Sequence, residues 1–330
     1  MTSTRRALAT AATKSRLAGF APQALDLYDL GADDTLPEKP AAQLVASAEH
    51  LCAQVRATHL RNAARLLPAT IAELTTAAWR TQSRELWQAL ASTYRTAHDV
   101  TVKLGYYDLS SVALDRMDWA AGRASDPCLS AIRQYMRALV YFREGEYTIG
   151  QRLVAAGHSI VGAAEQTREA LAVTGQLHLR ASVIGARADD QTAVDTHIAE
   201  AARCAEQTGD ASEVHWLSFG PTNVALHRMS AAVEMRQYDE ALSQARQITL
   251  PAALATSRRA HFLIDKARSE METGRTEAAL GSIVEARHAA PEQTRYHPGP
   301  RETIKGLVHI SRRTPDSLGH MDPARGLAAG

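Results

Sequence analysis

HWLSFGPTNVALHRMSAAVEMRQYDEALSQARQI, residues 215–248, decides how the rest of the chain is read. Gly220-Pro221 can open a helix, because proline at the first helical position gives up a donor that has no partner there anyway. Val224, Leu226, Met229, Ala232, Val233 and Met235 then recur at roughly the three-and-four spacing of a buried helical stripe. Arg236-Gln237 makes a turn. A second helix carries Tyr238, Ala241, Leu242, Ala245 and Ile248 on one face, with Pro251 beyond its end. A lone pair of helices cannot bury such a face, so it needs copies on either side.

Copies are present in both directions. Upstream, a helix over 41–67 and another opening at Pro68, with Ile71, Leu74, Ala78 and Trp79 inward, make the first pair. The second runs from about Arg84 to Gly122 around a turn at 104–108. The third spans Ser130 to Val161 and turns at 144–147, and the fourth spans Glu169 to Gln207 and turns at 187–190. Downstream of the opening stretch, Ser257–Thr273 pairs with Glu277–Ala289, and a helix from Pro300 to about Arg312 caps the series. Residues 1–40 read as a basic tail and connector whose leucines pack on the first pair. Residues 41–312 read as the repeat domain, and 313–330, rich in Gly, Pro and Ala, as a flexible tail.

Composition agrees with an all-α chain. Of 330 residues 45% are hydrophobic but only 5% aromatic, and alanine, the strongest helix former, carries much of the apolar content. The formal charge is +1, so no global field draws the chain to nucleic acid or to an anionic membrane. No stretch of 18 apolar residues offers a membrane span. Cys52, Cys128 and Cys204 are odd in number and far apart, which disfavours a disulfide framework and a structural zinc site. Arg5-Arg6 invites an export signal, but the residues that follow are too polar for a signal core, so the cytoplasm is expected. Arg5, Arg6, Lys14 and Arg16 are four charges in a tail, ordinarily just solvated.

The turns share a pattern: a small residue, an aromatic or similar residue two on, and another small residue three further. Gly105, Tyr107 and Ser110 fit it, as do Gly145, Tyr147 and Gly150, and Gly274, Thr276 and Ala279. Ala188 with Ala193, and Arg236 with Tyr238 and Ala241, are variants. This resembles the tetratricopeptide repeat rather than HEAT or armadillo repeats, although turns at 105, 145, 188, 236 and 274 are more widely spaced than the 34-residue unit. The fold implied is a right-handed superhelix of stacked antiparallel helix hairpins, a tetratricopeptide-like α-solenoid. AARLLPATIAEL (63–74), KLGYYDLSSVALDRM (103–117), HWLSFGPTNVALHRMSAAVEM (215–235) and ARHAAPEQTRYHP (286–298) are in turn similar to the C-terminal sensor region of actinobacterial XRE-type transcriptional regulators. In that family a helix-turn-helix domain precedes the repeats. Only about 40 residues precede the first pair here, against roughly 55–65 for such a domain, so DNA binding by this chain alone is not expected.

In a stack of this kind the first helix of each pair lines a concave groove. Extending one face down those helices selects Arg95, Asp99, Tyr135, His178, Asn223, His227 and Arg268, with Trp216 beside them. Asn223 and His227 stand four apart and share a face. With Arg95 and Arg268 they suit a carboxylate- or phosphate-bearing ligand, aided by free donors at the helix start near Pro221. The competing reading is that Trp216 and Phe219 plug a long loop while Asn223 and His227 satisfy buried backbone groups. Thirteen histidines include no HxxxH or HExxH, and His197 with Cys204 lacks further ligands, so no metal and no other cofactor is expected. No GxSxG, Walker loop or GxGxxG is present; Asp189-Asp190 reads as a solvated or capping pair. The function expected is that of a non-enzymatic sensor or adaptor linked to transcription. Its partner would be a peptide, a protein helix or a small signalling metabolite, with a homodimer left open. An enzyme or accessory protein of small-molecule biosynthesis on the same scaffold is the alternative.

Overall fold

The computed structural model describes residues 22–296 and 298–310. Within them the chain is all-α, with fourteen α-helices, two short 3-10 turns and no strand. In chain order the helices are α1 Ala41–Arg56, α2 Leu60–Thr81, α3 Arg84–Leu104, α4 Tyr107–Ala124, α5 Pro127–Glu144, α6 Tyr147–Gly162 and α7 Arg168–Arg187. They continue with α8 Gln191–Thr208, α9 Pro221–Glu234, α10 Tyr238–Gln247, α11 Thr256–Glu272, α12 Thr276–Ala289, α13 Pro291–Tyr296 and α14 Pro298–Ile310. The expected tails, at 1–21 and 313–330, and the expected end of the last helix at Arg312 lie outside the described residues.

One turn recurs through the molecule. At Gly105 the chain enters the left-handed region at φ +87°. Its N–H donates to the Val102 carbonyl at 3.1 Å, and the next N–H, of Tyr106, reaches back to Thr101 at 2.8 Å. These two bonds satisfy carbonyls that the end of a helix otherwise leaves bare. The Tyr106 carbonyl then accepts the Ser110 N–H at 3.0 Å, so the residue that closes one helix also starts the next. The same three bonds recur around Thr58, Ser125, Gly145, Asp189, Arg236 and Gly274, each at positive φ. Five residues on, the chain passes close to its neighbours. A Cβ on Gly150, for example, would sit 3.1 Å from Ile184.

Two boundaries differ from the sequence expectation. The helix expected over 41–67 breaks at Thr58, and α2 runs on through Pro68. A proline inside a helix costs about 3 kcal/mol. Leu67, Ile71 and Leu74 around it are fully buried, at about 1.5–3 kcal/mol each, which is enough to carry the helix through. The fourth turn sits on Asp189 rather than Ala188, whose φ is −82°. The connector also docks differently. Only Leu25 is buried, in a 3-10 turn (Pro22–Leu25) against α2 and α4, while Leu27 and Leu30 stay exposed. The Trp79 indole donates to the Tyr28 carbonyl at 3.1 Å, and Trp79, Trp87 and Trp119 pack edge to face as an inter-helix cluster.

From α1 to α13 each helix packs on the next, and α1, α3, α5, α7, α9 and α11 also contact one another in succession. That inner row returns on itself. α11 touches α1, the Arg61 N–H donates to Glu292 at 3.0 Å, and Lys103 Nζ donates to Gln293 at 3.0 Å. Between α8 and α9, residues 209–220 fold inward. Ala211 bridges Phe219, and the fully buried Phe219 ring lies against Gly175 of α7, where an added Cβ would come within 2.1 Å of it.

Gly175→Ala tests that contact. Alanine normally gains up to about 1 kcal/mol over glycine in a helix. Here the methyl group meets an aromatic ring, and overpacking costs about 1–3 kcal/mol, so urea unfolding should show a net loss of stability. Arg236→Gly should do the reverse. It relieves an exposed non-glycine residue at φ +59° and should add a few tenths to about 1 kcal/mol by the same measurement. A stabilised Gly175→Ala, or a destabilised Arg236→Gly, contradicts the packing and turn geometry respectively.

Candidate functional site

The inner row concentrates charge that the composition hides. Arg56 ends α1; α3 contributes Arg95, Asp99 and Lys103; α5 contributes Tyr135 and Arg143; α7 contributes Gln176 and Arg180; α9 contributes Asn223 and His227; and α11 contributes Arg258. Six cationic side chains, the buried Arg95 and Arg180, the half-buried Arg56, Lys103 and Arg258 and the exposed Arg143 at the end of α5, act on one carboxylate, Asp99, and on the phenols of Tyr135 and, for Arg143, Tyr107.

Their electrostatics follow from that imbalance. Burial alone would raise Asp99, but Arg56, Arg95, His98 and Lys103 outweigh it and hold the carboxyl below its usual range. Arg56 is its closest partner, at 3.7 Å. Lys103 is pushed down to about 8, mainly by burial and then by Arg56, Arg258 and Arg143, against the pull of Asp99. Tyr135 moves the other way. Burial would raise its phenol, but Arg180, Arg258, the Gln176 hydrogen bond and Arg95 bring it down to about 8. Burial also lowers the pKa of Arg95, Arg143 and Arg258, with neighbouring guanidinium groups adding to the effect.

A short polar chain organises the middle of the cluster. Asn223 Nδ2 donates to Gln176 Oε1 at 3.2 Å, and Gln176 Nε2 donates to the Tyr135 hydroxyl at 2.9 Å. The Arg180 guanidinium lies 4.4 Å from the centroid of the Tyr135 ring. His227 Nδ1 pairs with the Asn223 carbonyl at 2.9 Å, so Nδ1 carries the proton and Nε2 is the acceptor. Burial, followed by Arg258, pushes that imidazole down to about 3. Arg95 holds the inward loop, donating to the carbonyls of His215 and Trp216. Three buried polar atoms here have no hydrogen-bond partner among the described residues: Asn223 Oδ1, Arg95 Nε and Arg180 Nε. Buried polar atoms are nearly always satisfied, so unsatisfied ones need an explanation.

A cavity of about 620 Å³ opens beside this cluster. Its walls are the end of α1 with Arg56, the inward loop with Asp210, Glu213, Trp216 and Phe219, and the starts of α9 and α11 with Asn223 and Thr256; Glu213 is paired with Arg168. Neither helix start has a side-chain cap, so both present backbone donors. Arg56 and Asn223 belong both to the cavity wall and to the cationic cluster. The volume is that of a small-molecule site.

Of the residues selected from the sequence, Arg95, Asp99, Tyr135, Asn223 and His227 come together here, and Trp216 lines the adjoining cavity. Two do not. His178 packs on the other side of α7 with His158 and His197, its Nδ1 3.0 Å from that of His197. At 100° per residue it stands about 200° from Gln176 and Arg180, the inward pair. Arg268 lies beside Asp265, about 15 Å along α11 from Arg258, which occupies the inward position. Arg56, Lys103, Arg143, Arg180 and Arg258 were missed. Each is a cation on an otherwise apolar helix face, a usable signal, but the register that places it inward is set by the turns. No protein-family model, curated protein or solved structure matches the chain. No described helix is long and apolar enough to cross a membrane.

His227 makes the stability acid-sensitive. Its folded pKa of about 3 lies below the unfolded value, so the unfolded chain binds the extra proton and stability falls as pH drops below about 6.5. The slope is at most about 1.4 kcal/mol per pH unit. Between about pH 7 and about pH 5, His227→Gln should therefore lose about 2 kcal/mol less stability than the native chain in urea titrations. Equal losses would mean that His227 is not held neutral.

Proposed function

We propose that this chain is a tetratricopeptide-like α-solenoid whose enclosed concave side captures a small multiply anionic ligand, phosphate- or carboxylate-bearing, and that it works in the cytoplasm as a sensor or adaptor. The observation that carries this reading is the excess of cations over Asp99 around Arg95, Tyr135 and Arg180, next to a cavity of ligand size. Such an arrangement raises the free energy of the empty protein, and an anion lowers it. The repeated turns and the inner row of helices support the solenoid. The contact of α11 with α1 and the inward loop favour a compact ligand over a long peptide or partner helix. Ligand capture would act by fixing the inward loop and, through it, the angles between neighbouring helices. A link to transcription rests on the sequence resemblance, with any DNA-reading domain supplied elsewhere.

One observation favours the alternative, an enzyme of small-molecule biosynthesis. Tyr135, near 8, could serve as a base or acid, and turnover lost in Tyr135→Phe would establish it.

The test is a thermal-shift and calorimetric panel of phosphate, pyrophosphate, a nucleoside triphosphate, citrate and neutral analogues. Multiply charged anions should bind and raise the melting temperature. Arg258→Gln should weaken them at least tenfold, the loss of about one charge-assisted hydrogen bond. Binding should also move the Tyr135 ionisation, seen by near-ultraviolet titration, upward from about 8, because the cations that depress it are then shared. Stronger binding of neutral peptides, with anions inert, contradicts the proposal.

A further inference from the structure

Outside the cationic interior, a second group of side chains converges from three separate parts of the chain. Asp126 precedes α5, Cys128 lies in its first turn, Glu169 lies in the first turn of α7, and His215 lies on the inward loop. One carboxylate oxygen from each acid, the Cys128 sulfur and a His215 ring nitrogen all lie within 4.8 Å of one another. We propose that Asp126, Cys128, Glu169 and His215 form a binding site for a divalent transition metal of the zinc type, which pins the inward loop to α5 and α7. This site is independent of the anion reading.

The donor set selects the metal class. Thiolate and imidazole disfavour magnesium and calcium, which take oxygen ligands, and four ligands of mixed sulfur, nitrogen and oxygen suit tetrahedral zinc. Bonds of about 2.0–2.3 Å put ligand atoms of a tetrahedral site roughly 3.3–3.8 Å apart, so the observed cluster needs only small side-chain adjustments. One of the four ligands, Asp126, is already oriented by its neighbours. Asp126 Oδ1 accepts the Leu129 N–H at 3.0 Å, and Oδ2 accepts Gln88 Nε2 at 2.8 Å, the kind of outer support that metal carboxylates carry. Glu169 and His215 Nε2 are paired with each other, and a metal would replace that contact by bonding both. Cys128 is buried, whereas Glu169 is half exposed, so one side of the cluster is open for metal entry.

The position of His215 gives the site a consequence. Its side chain would bind the metal while its carbonyl accepts from Arg95, so one residue joins the metal site to the cationic interior. It sits at φ +43°, a left-handed conformation that a non-glycine residue adopts only when its surroundings hold it there. Trp216 and Phe219, the next wall of the cavity, follow directly. Metal binding therefore seats the loop that closes one side of that cavity.

The test uses the full chain, stripped with chelator and titrated with Co²⁺ and then Zn²⁺. One equivalent of Co²⁺ should bind with a thiolate-to-cobalt charge-transfer band and tetrahedral visible absorption, releasing the thiol proton, and Zn²⁺ should displace it. Cys128→Ser should abolish the charge-transfer band, and His215→Gln should weaken binding by at least tenfold. Glu169→Gln, at a half-exposed position, gives the same direction should either of those variants fail to fold. His178→Gln, in the separate histidine cluster, should leave the band unchanged. Absence of the band in the native chain, or its persistence in Cys128→Ser, overturns the site.

Discussion

Everything in this molecule depends on how one helix is ended. A residue in the left-handed region and its successor turn two N–H groups back onto the closing helix, and the successor's carbonyl opens the next one. With only two or three residues between the two helices, they run antiparallel and alternate members fall in a row. Seven such turns, from Thr58 to Gly274, therefore send α1, α3, α5, α7, α9 and α11 along the same side of the chain. Which side chains meet on that row follows from backbone hydrogen bonds at the helix ends, two residues from Arg56, Lys103 and Arg143 and farther from the others.

The row gathers cations that would otherwise be scattered. Burial and like charge bring Lys103 down to about 8, which sets about 3 kcal/mol against keeping it charged. Part of this is offset internally, since Asp99 stays ionised and the Tyr135 phenol is drawn toward ionisation. The rest is offset by no other carboxylate in the cluster. Under the proposed function this arrangement is a reserve of binding energy for an anion, much as unpaired donors in an oxyanion pocket are before their ligand arrives. Asn223 Oδ1, left without a partner at the edge of the cavity, makes the same point for a donor group on the ligand.

The all-α character was legible because the apolar spacing is helical almost everywhere and glycine marks Gly105, Gly145 and Gly274. Where the same turn is built on Thr58, Ser125 or Asp189, no glycine announces it, and the break after α1 was assigned to Pro68 instead. Within the cluster, Arg95, Asp99, Tyr135, Asn223 and His227 could be picked out by extending one helix face. That extension failed at His178 and Arg268 because it assumed an unchanged register from pair to pair, whereas the spacing between turns varies. The proposed metal ligands were invisible for another reason. Asp126, Cys128, Glu169 and His215 share no motif; the first three meet at the starts of α5 and α7, and His215 joins them only because residues 209–220 fold inward under Arg95.

The most direct measurement of the central claim is a crystal of the native chain soaked in tungstate, a compact dianion that diffraction locates without ambiguity. Tungstate should occupy the interior between Arg95, Arg180, Arg258 and Tyr135, contacting Asn223 or the uncapped start of α9. Anions found only on the outer surface, with the inner cations paired to protein carboxylates, would contradict the account.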